Sequence, residues 1–262
     1  KTEGRRMENK WEAMSISRIK TEVEALNEEA RLLTCAELMN DPRKGVVAFA
    51  QKTLRAHERV VHERARLEKL WRFENEAYAQ GYRAIVGTDE VGRGPLAGPV
   101  VAAAVVLPRG VEIFGINDSK KLSEKRREAL AEEIKAKALA YKIAEISPAE
   151  IDRVNILHAA ERAMKEAVEA LPFGDYLLVD GQNQLDVRLP VRNLIGGDSI
   201  SISIAAASII AKVYRDHLMV QLDSVYPQYN FAQNKGYGTA DHYAALQKYG
   251  PSPVHRRSFR LL

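Results

Sequence analysis

Residues 84–106 read AIVGTDEVGRGPLAGPVVAAAVV, and this stretch decides which fold the sequence predicts. Two runs of apolar and β-branched residues, at positions 83–89 and 100–107, flank a turn rich in glycine and proline. Runs of this composition on either side of such a turn are typical of two neighbouring β-strands. The carboxylates Asp89 and Glu90 stand at the end of the first predicted strand.

Downstream of this stretch, the sequence alternates between helical and strand patterns. Helices are predicted at residues 124–137, 148–170, 201–222 and 240–248, and strands at residues 139–146, 176–179 and 192–195. Ser147, Pro148 and Glu150 form a capping box with proline at the first helical position, which marks one helix start. Three early strands followed by alternating elements predict an α/β fold, with a mixed sheet flanked by helices.

Upstream of the stretch, the chain predicts only helices. Apolar residues recur at helical spacing between residues 16 and 26. Asp41, as a cap before Pro42, predicts a helix start, and the helical pattern continues to about residue 79. We therefore predict two parts, an all-helical N-terminal extension at residues 1–80 and an α/β domain at residues 81–262 that ends in a helical tail.

Composition limits the classes of protein that this chain can belong to. The 262 residues are 46% hydrophobic, which is enough for a sizeable core. The longest apolar runs are too short to span a bilayer, and we expect no membrane association. A single cysteine, Cys35, excludes an internal disulfide framework and a multi-cysteine zinc site. With no secretory signal in the sequence, we expect a cytoplasmic protein.

The net charge of +4 is distributed unevenly. Residues 1–83 hold 17 basic and 14 acidic residues, so they carry +3 of the +4. A basic balance points weakly to nucleic acid, and ordinary solubility explains it equally well. The extension therefore has two open interpretations, an aid to substrate binding or a purely structural role.

Two further carboxylates stand where predicted strands end. Asp180 follows the strand at residues 176–179, and Asp198 precedes the long helix. Taken singly, the first is explained by a turn and the second by a helix cap. Together with Asp89 and Glu90 they suggest a cation site, because ligands collect at strand ends and buried carboxylates need a partner. Hard oxygen ligands suit Mg²⁺ or Mn²⁺, and two such ions about 3.5–4 Å apart can promote phosphodiester hydrolysis.

The pair Asp89 and Glu90 leaves two arrangements open. Adjacent residues of a regular strand face opposite sides of the sheet. Either one carboxylate points away from the other, or the strand breaks at this point, and the glycines that follow make a break plausible.

The turn after the pair suits ligand binding through its backbone. Gly92 and Gly94 on either side of Arg93 allow backbone N–H groups to approach a ligand closely, while the guanidinium can reach a phosphate. A dinucleotide-binding turn is excluded, because the third glycine is misplaced and a strand, not a helix, follows.

Asp89-Glu90-x-Gly92-Arg93-Gly94, continued by Pro95 and Ala97-Gly98-Pro99, resembles the signature of the type 2 ribonucleases H. Arg93 separates ribonuclease HII from ribonuclease HIII, so the resemblance is to ribonuclease HII over about two-thirds of the chain. The other matching blocks are Asp118-Ser119-Lys120-Lys121-Leu122, Leu178-Val179-Asp180, Gly197-Asp198-Ser199, residues 203–216, Asn234-Lys235-Gly236-Tyr237-Gly238-Thr239 with His242, and Pro253-x-His255-Arg256-x-Ser258-Phe259.

The resemblance implies a role for each matched residue. The four carboxylates would bind the catalytic Mg²⁺ or Mn²⁺ ions: Asp89, Glu90, Asp180 and Asp198. The turn would read the ribonucleotide 2′-OH, the group that distinguishes RNA from DNA at one position, largely through its backbone: Gly92, Arg93 and Gly94. Tyr237 would stack on the deoxyribose of the following nucleotide. Three residues would contact substrate phosphates: Lys120, Ser208 and Lys212.

The resemblance also implies the fold and the reaction. We expect a ribonuclease H-like domain, with an N-terminal helical extension like that of some bacterial ribonucleases HII. It would hydrolyse the phosphodiester on the 5′ side of ribonucleotides, in RNA/DNA hybrids and at single ribonucleotides embedded in duplex DNA, leaving a 3′-hydroxyl and a 5′-phosphate. We expect a monomer. The alternative is a non-catalytic nucleic-acid-binding module, which would not need all four acids.

Overall fold

The computed structural model describes residues 10–261. Within that range the helices are α1 (Ile16–Glu24), α2 (Glu28–Leu38), α3 (Lys44–Leu70), α4 (Arg72–Ala79), α5 (Glu124–Lys137), α6 (Pro148–Val154), α7 (Ile156–Glu169), α8 (Ile202–Val225), α9 (Phe231–Asn234) and α10 (Ala240–Tyr249). The strands are β1 (Ile85–Val91), β2 (Val100–Val106), β3 (Ala140–Ile146), β4 (Tyr176–Asp180) and β5 (Val191–Leu194). None of the described helices is both long and apolar enough to cross a membrane.

The five strands form one mixed sheet in the order β3-β2-β1-β4-β5. The first three strands along the chain pair antiparallel, and β4 joins β1 in parallel on its other edge. The predicted pair of strands at residues 84–106 is confirmed, with Val86 opposite Val106 and Val91 opposite Val101. The predicted α/β fold with a mixed sheet flanked by helices is therefore confirmed.

Alternation along β2 divides the core between two helical layers. Val101, Ala103 and Val105 pack with α8 on one face of the sheet, and the intervening residues pack with α7 on the other. The α8 helix crosses β1 very closely at Gly87, where a Cβ atom would lie 2.2 Å from the backbone carbon of Ser203. A larger residue at this position would force the helix away from the sheet.

The helices differ from the sequence prediction at several boundaries: the one expected to continue to about residue 79 is interrupted at Trp71, and α8 ends at Val225 instead of residue 222. Two further differences have a clear local cause. The helix predicted at residues 148–170 is two helices, because Asn155 adopts a left-handed φ of 71°. Its N–H closes α6 on the carbonyl of Ile151, and its side chain accepts from the N–H of His158 to begin α7. The helix start predicted at Asp41 was also two residues early, because α3 begins at Lys44. The Asp41 carboxylate accepts hydrogen bonds from the backbone N–H and the guanidinium of Arg43.

The chain divides into two compact units between Ala65 and Arg66, within α3. The predicted boundary near Gly81 coincides with the end of the helices, whereas the units divide earlier. The reason is that Leu70 and Trp71 at the end of α3, and Phe73 and Ala77 in α4, are buried in core clusters of the second unit. The first unit has a small core of its own, formed by Trp11, Ile19, Val23, Cys35, Leu38, Val46 and Ala50.

The α4 helix also supplies a cap for α8. Glu74 is fully buried, and its Oε1 accepts from the hydroxyl of Ser201 at 2.6 Å and from the N–H of Ser203 at 3.0 Å. The first N–H groups of a helix have no intrahelical acceptor, so a carboxylate at this end satisfies them and complements the helix dipole. Burial raises the pKa of Glu74, against the opposing effect of these two bonds.

Replacement of this carboxylate tests how strongly α4 stabilises the second unit. We expect Glu74→Ala to lower the free energy of unfolding by about 1–3 kcal/mol, because Ser203 and Ser201 lose their acceptor in a buried place. Glu74→Gln keeps the accepting oxygen and should lose much less. Chemical denaturation measures both.

The control on the same helix is Glu76→Ala, which removes a half-exposed ion pair with Arg192. Such a pair contributes about 0–1 kcal/mol. Equal losses for the alanine variants of Glu74 and Glu76 would contradict a capping role for Glu74.

Candidate active site

The carboxyl ends of β1 and β4 bring two predicted site residues together. The strands run parallel, and Thr88 pairs with Val179 in their register. The next residue on each strand is Asp89 and Asp180, so the two carboxylates lie side by side at the same edge of the sheet. The adjacency follows from the long-range strand pairing, which no local pattern in the sequence specifies.

Asp89 is the most deeply buried of the four predicted metal ligands, with 6% of its surface exposed. It accepts a hydrogen bond from the N–H of Glu90 at 2.7 Å. Burial raises the pKa of Asp89 well above its ordinary value, and the charges of Glu90 and Asp180 raise it further. A hydrogen bond from Ser208 opposes this shift. The site therefore penalises a negative charge that has no cation beside it.

Glu90 resolves the two arrangements left open for the adjacent acids. The strand does not break at the pair, because Glu90 still pairs with Ala102 in the regular ladder. The two side chains start from opposite faces of β1, but both carboxylates end close enough to Asp180 for its charge to raise their pKa values. The chain turns only at Gly92, where φ is 90°. Arg93 Nη1 donates to Glu90 Oε1 at 3.2 Å, while Oε2 is buried with no hydrogen-bond partner in the described part of the chain.

Asp198 reaches the same edge from the turn before α8. The backbone N–H of Gly197 donates to Asp180 Oδ1 at 2.6 Å, which fixes this turn against the end of β4. Burial raises the pKa of Asp198, and the charges of Asp118 and Asp180 raise it further. Lys120 Nζ lies 3.8 Å from Asp198 Oδ2 and is the cation nearest to this carboxylate among the described ion pairs.

The chemistry of these oxygens fits a hard divalent cation. Burial and the charge of at least one other of the four carboxylates raise the pKa values of Asp89, Glu90 and Asp198, and Glu90 Oε2 has no donor. A bound cation would remove both penalties. Among residues 10–261, no three His, Cys, Asp or Glu side chains already stand in an arrangement that could hold a metal ion.

The predicted phosphate contacts have different surroundings. Lys120 is exposed beside Asp198, as a phosphate-binding lysine should be. Ser208 is buried, and its hydroxyl lies 3.0 Å from that of Ser119. Lys212 lies one turn further along α8 and pairs with Asp216 at 2.7 Å. Burial lowers the pKa of Lys212.

Tyr237 stands beside the glycine turn. The residue is 43% exposed, and a Cβ atom at Gly94 would lie 3.6 Å from a ring carbon of Tyr237. Its carbonyl accepts from His242 Nδ1 at 2.8 Å, and His242 Nε2 lies 2.9 Å from His255 Nε2. The Ser252 N–H donates to His255 Nδ1, which leaves the His255 proton on Nε2. The two histidines are thus uncharged, and they form a buried chain of hydrogen bonds that ends at the Tyr237 carbonyl.

Sequence reasoning missed two buried arginines: one that holds the glycine turn and one that binds the backbone next to it. Arg256 donates three hydrogen bonds to the carbonyls of Gly92, Arg93 and Gly98. Arg215 donates three more to backbone carbonyls nearby, those of Ala97, Pro99 and Lys235. Both arginines lie in the matched sequence blocks, yet only the fold reveals which carbonyls they bind. Asp118, which raises the pKa of Asp198, was likewise given no role.

Comparison with known proteins places the chain in a family. The family model described as Ribonuclease HII matches residues 86–262, and the model for the Ribonuclease HII N-terminal domain matches residues 15–78. A ribonuclease HII of Desulfitobacterium hafniense is 47% identical over 247 residues, covering 94% of each chain. One of Clostridioides difficile is 48% identical over 246 residues, covering 94% of this chain and 96% of its own.

Solved structures agree on the fold. The crystal structure of ribonuclease H2 from Pyrococcus horikoshii aligns with a TM-score of 0.60 at 25% identity, over 68% of this chain and 95% of that one. Ribonuclease HII in the complex with PCNA from Archaeoglobus fulgidus gives 0.59 at 25% identity, over 68% and 96%. The chain belongs to the ribonuclease HII family and is a type 2 ribonuclease H, an enzyme that cleaves RNA in hybrids with DNA.

Proposed function

We propose that this enzyme hydrolyses the phosphodiester on the 5′ side of ribonucleotides, including single ribonucleotides embedded in duplex DNA, and leaves a 3′-hydroxyl and a 5′-phosphate. One observation carries the proposal. Asp89 and Glu90 lie at the end of β1, and the Gly92–Gly94 turn begins two positions after Glu90, at the start of the β1–β2 connection. Chemistry and ribose recognition would therefore act on one nucleotide.

The four carboxylates would hold the metal ions: Asp89, Glu90, Asp180 and Asp198. When bound, two Mg²⁺ or Mn²⁺ ions would supply water activation and stabilisation of the leaving oxygen. The protein's own contribution is to fix the oxygens beforehand. The Gly197 N–H orients Asp180, and Ser208 and the Glu90 N–H orient Asp89. Preorganised ligands need little rearrangement as charge develops.

The turn would recognise the ribose through its backbone. Gly92 takes a left-handed φ of 90°, a conformation that side-chained residues rarely adopt, and Gly94 lets a sugar approach closely. A 2′-OH both donates and accepts, so backbone groups at this turn can distinguish it from a 2′-hydrogen. Tyr237 would then stack on the next sugar, since its exposed ring borders Gly94.

Phosphate contacts would come from Lys120, Ser208 and Lys212. Lys120 has the exposure for a direct contact. Lys212 and Ser208 share one face of α8, at the i and i+4 positions, and Lys212 would exchange part of its bond to Asp216 for a phosphate. We further propose a cytoplasmic monomer in which the N-terminal helices aid substrate binding. The basis for that last role is the net charge of residues 1–80, which hold 16 basic and 14 acidic residues.

A cleavage assay tests the reaction. Duplex DNA with one ribonucleotide should be cut with Mg²⁺ or Mn²⁺ at the 5′ side of that ribonucleotide, and the all-DNA duplex should stay intact. Asp180→Asn should reduce kcat/KM by at least about 100-fold, since even indirect partners of metal ligands cost about 10–100-fold. Cutting of RNA/DNA hybrids alone would refute the embedded-ribonucleotide activity.

Metal binding can be tested without turnover. In a metal-free buffer at neutral pH, Asp89→Asn should raise the melting temperature. Because the pKa of Asp89 is raised in the folded state, the folded state loses stability as pH rises from the ordinary pKa of an aspartate to the raised pKa of Asp89. An asparagine does not ionise, so the variant avoids this loss. Added Mn²⁺ should stabilise the parent and much less the variant.

The control for Asp89 is Asp186→Asn, which changes a fully exposed carboxylate paired with Lys165. It should leave both the metal-free melting temperature and the Mn²⁺ response as in the parent. An equal Mn²⁺ response in the Asp89 variant would place the cation elsewhere.

The role of Tyr237 predicts a loss at junctions. Tyr237→Ala should lower kcat/KM at a single embedded ribonucleotide by about 5–150-fold, the equivalent of about 1–3 kcal/mol for one stacked group. Tyr237→Phe keeps the ring and most of the rate. The matched control is Tyr249→Ala, at an exposed tyrosine near the end of α10. Unchanged cleavage by Tyr237→Ala would make this residue a packing element.

A further inference from the structure

We propose that Arg256 is a positioning residue for ribose recognition, because its guanidinium fixes which way the peptide groups of the glycine turn face. The inference rests on the proposed function of the turn and deepens it. It concerns a residue near the end of the chain that touches neither the carboxylates nor the exposed side of the turn.

The geometry begins with three hydrogen bonds. Arg256 Nη2 donates to the Gly92 carbonyl at 2.6 Å, Nη1 to the Arg93 carbonyl at 3.0 Å, and Nε to the Gly98 carbonyl at 3.0 Å. The side chain is fully buried, and its three nitrogens are all used. Burial lowers the pKa of Arg256 to about 9, so the group still carries its charge at neutral pH.

Because a peptide unit is planar, the bonds to the Gly92 and Arg93 carbonyls also determine where the next N–H groups point. A trans peptide unit is flat, with its C=O and the following N–H pointing in opposite directions. With the Gly92 carbonyl held inward, the N–H of Arg93 must point outward. The Arg93 carbonyl fixes the N–H of Gly94 in the same way. These are the N–H groups of the turn that would read the 2′-OH.

The glycine turn would otherwise lack this rigidity. Gly92 and Gly94 have no side chain to restrict them, and glycine loses more conformational freedom on folding than any other residue. A planar guanidinium with a fixed fork of donors restrains two successive carbonyls at once. Lysine could bind one carbonyl but has no second donor at a fixed angle, so an orientation that depends on both would be lost.

Arg256 is itself anchored from two sides. Its own N–H donates to the Leu96 carbonyl at 2.8 Å, next to the bridge between Ala97 and His255. On the other side, the Asp152 carboxylate accepts from the N–H groups of Arg257 and Ser258, both at 2.9 Å. The backbone on both sides of Arg256 is therefore held before any substrate arrives, which fixes the point from which the guanidinium reaches the turn.

Arg215 offers a matched contrast. It is equally buried, and it also donates three hydrogen bonds to carbonyls, but those belong to Ala97, Pro99 and Lys235. Its loss should destabilise the fold about as much as the loss of Arg256. Only the Arg256 bonds set the direction of the Arg93 and Gly94 N–H groups.

The test measures discrimination and stability side by side. For the full chain, KM is determined on duplex DNA with one ribonucleotide, and the inhibition constant on the same duplex without it. Their ratio reports how much the 2′-OH contributes to recognition. We expect Arg256→Lys to reduce this discrimination by about tenfold, the effect of one or two misdirected hydrogen bonds. The inhibition constant of the all-DNA duplex should stay unchanged.

Arg215→Lys is the control and should lower the melting temperature similarly while keeping most of the discrimination. A milder variant, Asp152→Ala, loosens the tail without altering the guanidinium and should cause a smaller loss of the same ratio.

Parental discrimination in folded Arg256→Lys, or equal loss in both lysine variants, would overturn the inference. If Arg256→Lys does not fold, an unchanged ratio in Asp152→Ala overturns it instead. Failure of the parent to cut the ribonucleotide duplex would refute the proposed function, a separate outcome.

Discussion

Repulsion between buried carboxylates at the adjoining ends of β1 and β4 is the constraint on which the site depends. The parallel register sets Asp89 beside Asp180, and burial and neighbouring charge together raise the pKa of Asp89. A fold that gained only stability from this region would fill it with apolar residues, as Ile85 and Val86 do in β1 and Leu177 to Val179 do in β4. Charges concentrated and largely buried at one edge of a sheet are instead typical of a functional site.

The surrounding fold tolerates that repulsion by fixing backbone groups around it. Gly87 lets α8 approach the sheet, which brings the turn that carries Asp198 and the hydroxyl of Ser208 to the carboxylates. Glu74 caps the N-terminal end of the same helix. The cluster of acids therefore depends on the close packing of α8 against the sheet, because a displaced helix would separate Asp198 from Asp180.

The sequence was sufficient for the features that local rules control. The hairpin, the strand ends and the acids that follow them depend on composition and spacing within about twenty residues, and the structure has the hairpin and strands where they were predicted. Residues that act across the chain could not be found this way. Arg256 binds carbonyls more than 160 positions away, and nothing in the residues around it indicates that partner. The break at Asn155 was missed for a related reason, because a left-handed asparagine leaves no hydrophobic signal.

The position of the unit boundary changes the electrostatic argument for the N-terminal helices. Residues 1–83 hold 17 basic and 14 acidic residues, but the compact first unit ends at Ala65. Residues 1–65 hold 13 basic and 11 acidic residues, so they carry +2 and the remaining residues carry the other +2. The first unit is still the more basic for its size, since it has a quarter of the residues. The end of α3 and all of α4, however, belong to the catalytic unit by packing and by the Glu74 cap. Any effect of the first unit on substrate binding must therefore come from residues before Arg66, and a deletion that reached Gly81 would mix that effect with damage to the catalytic core.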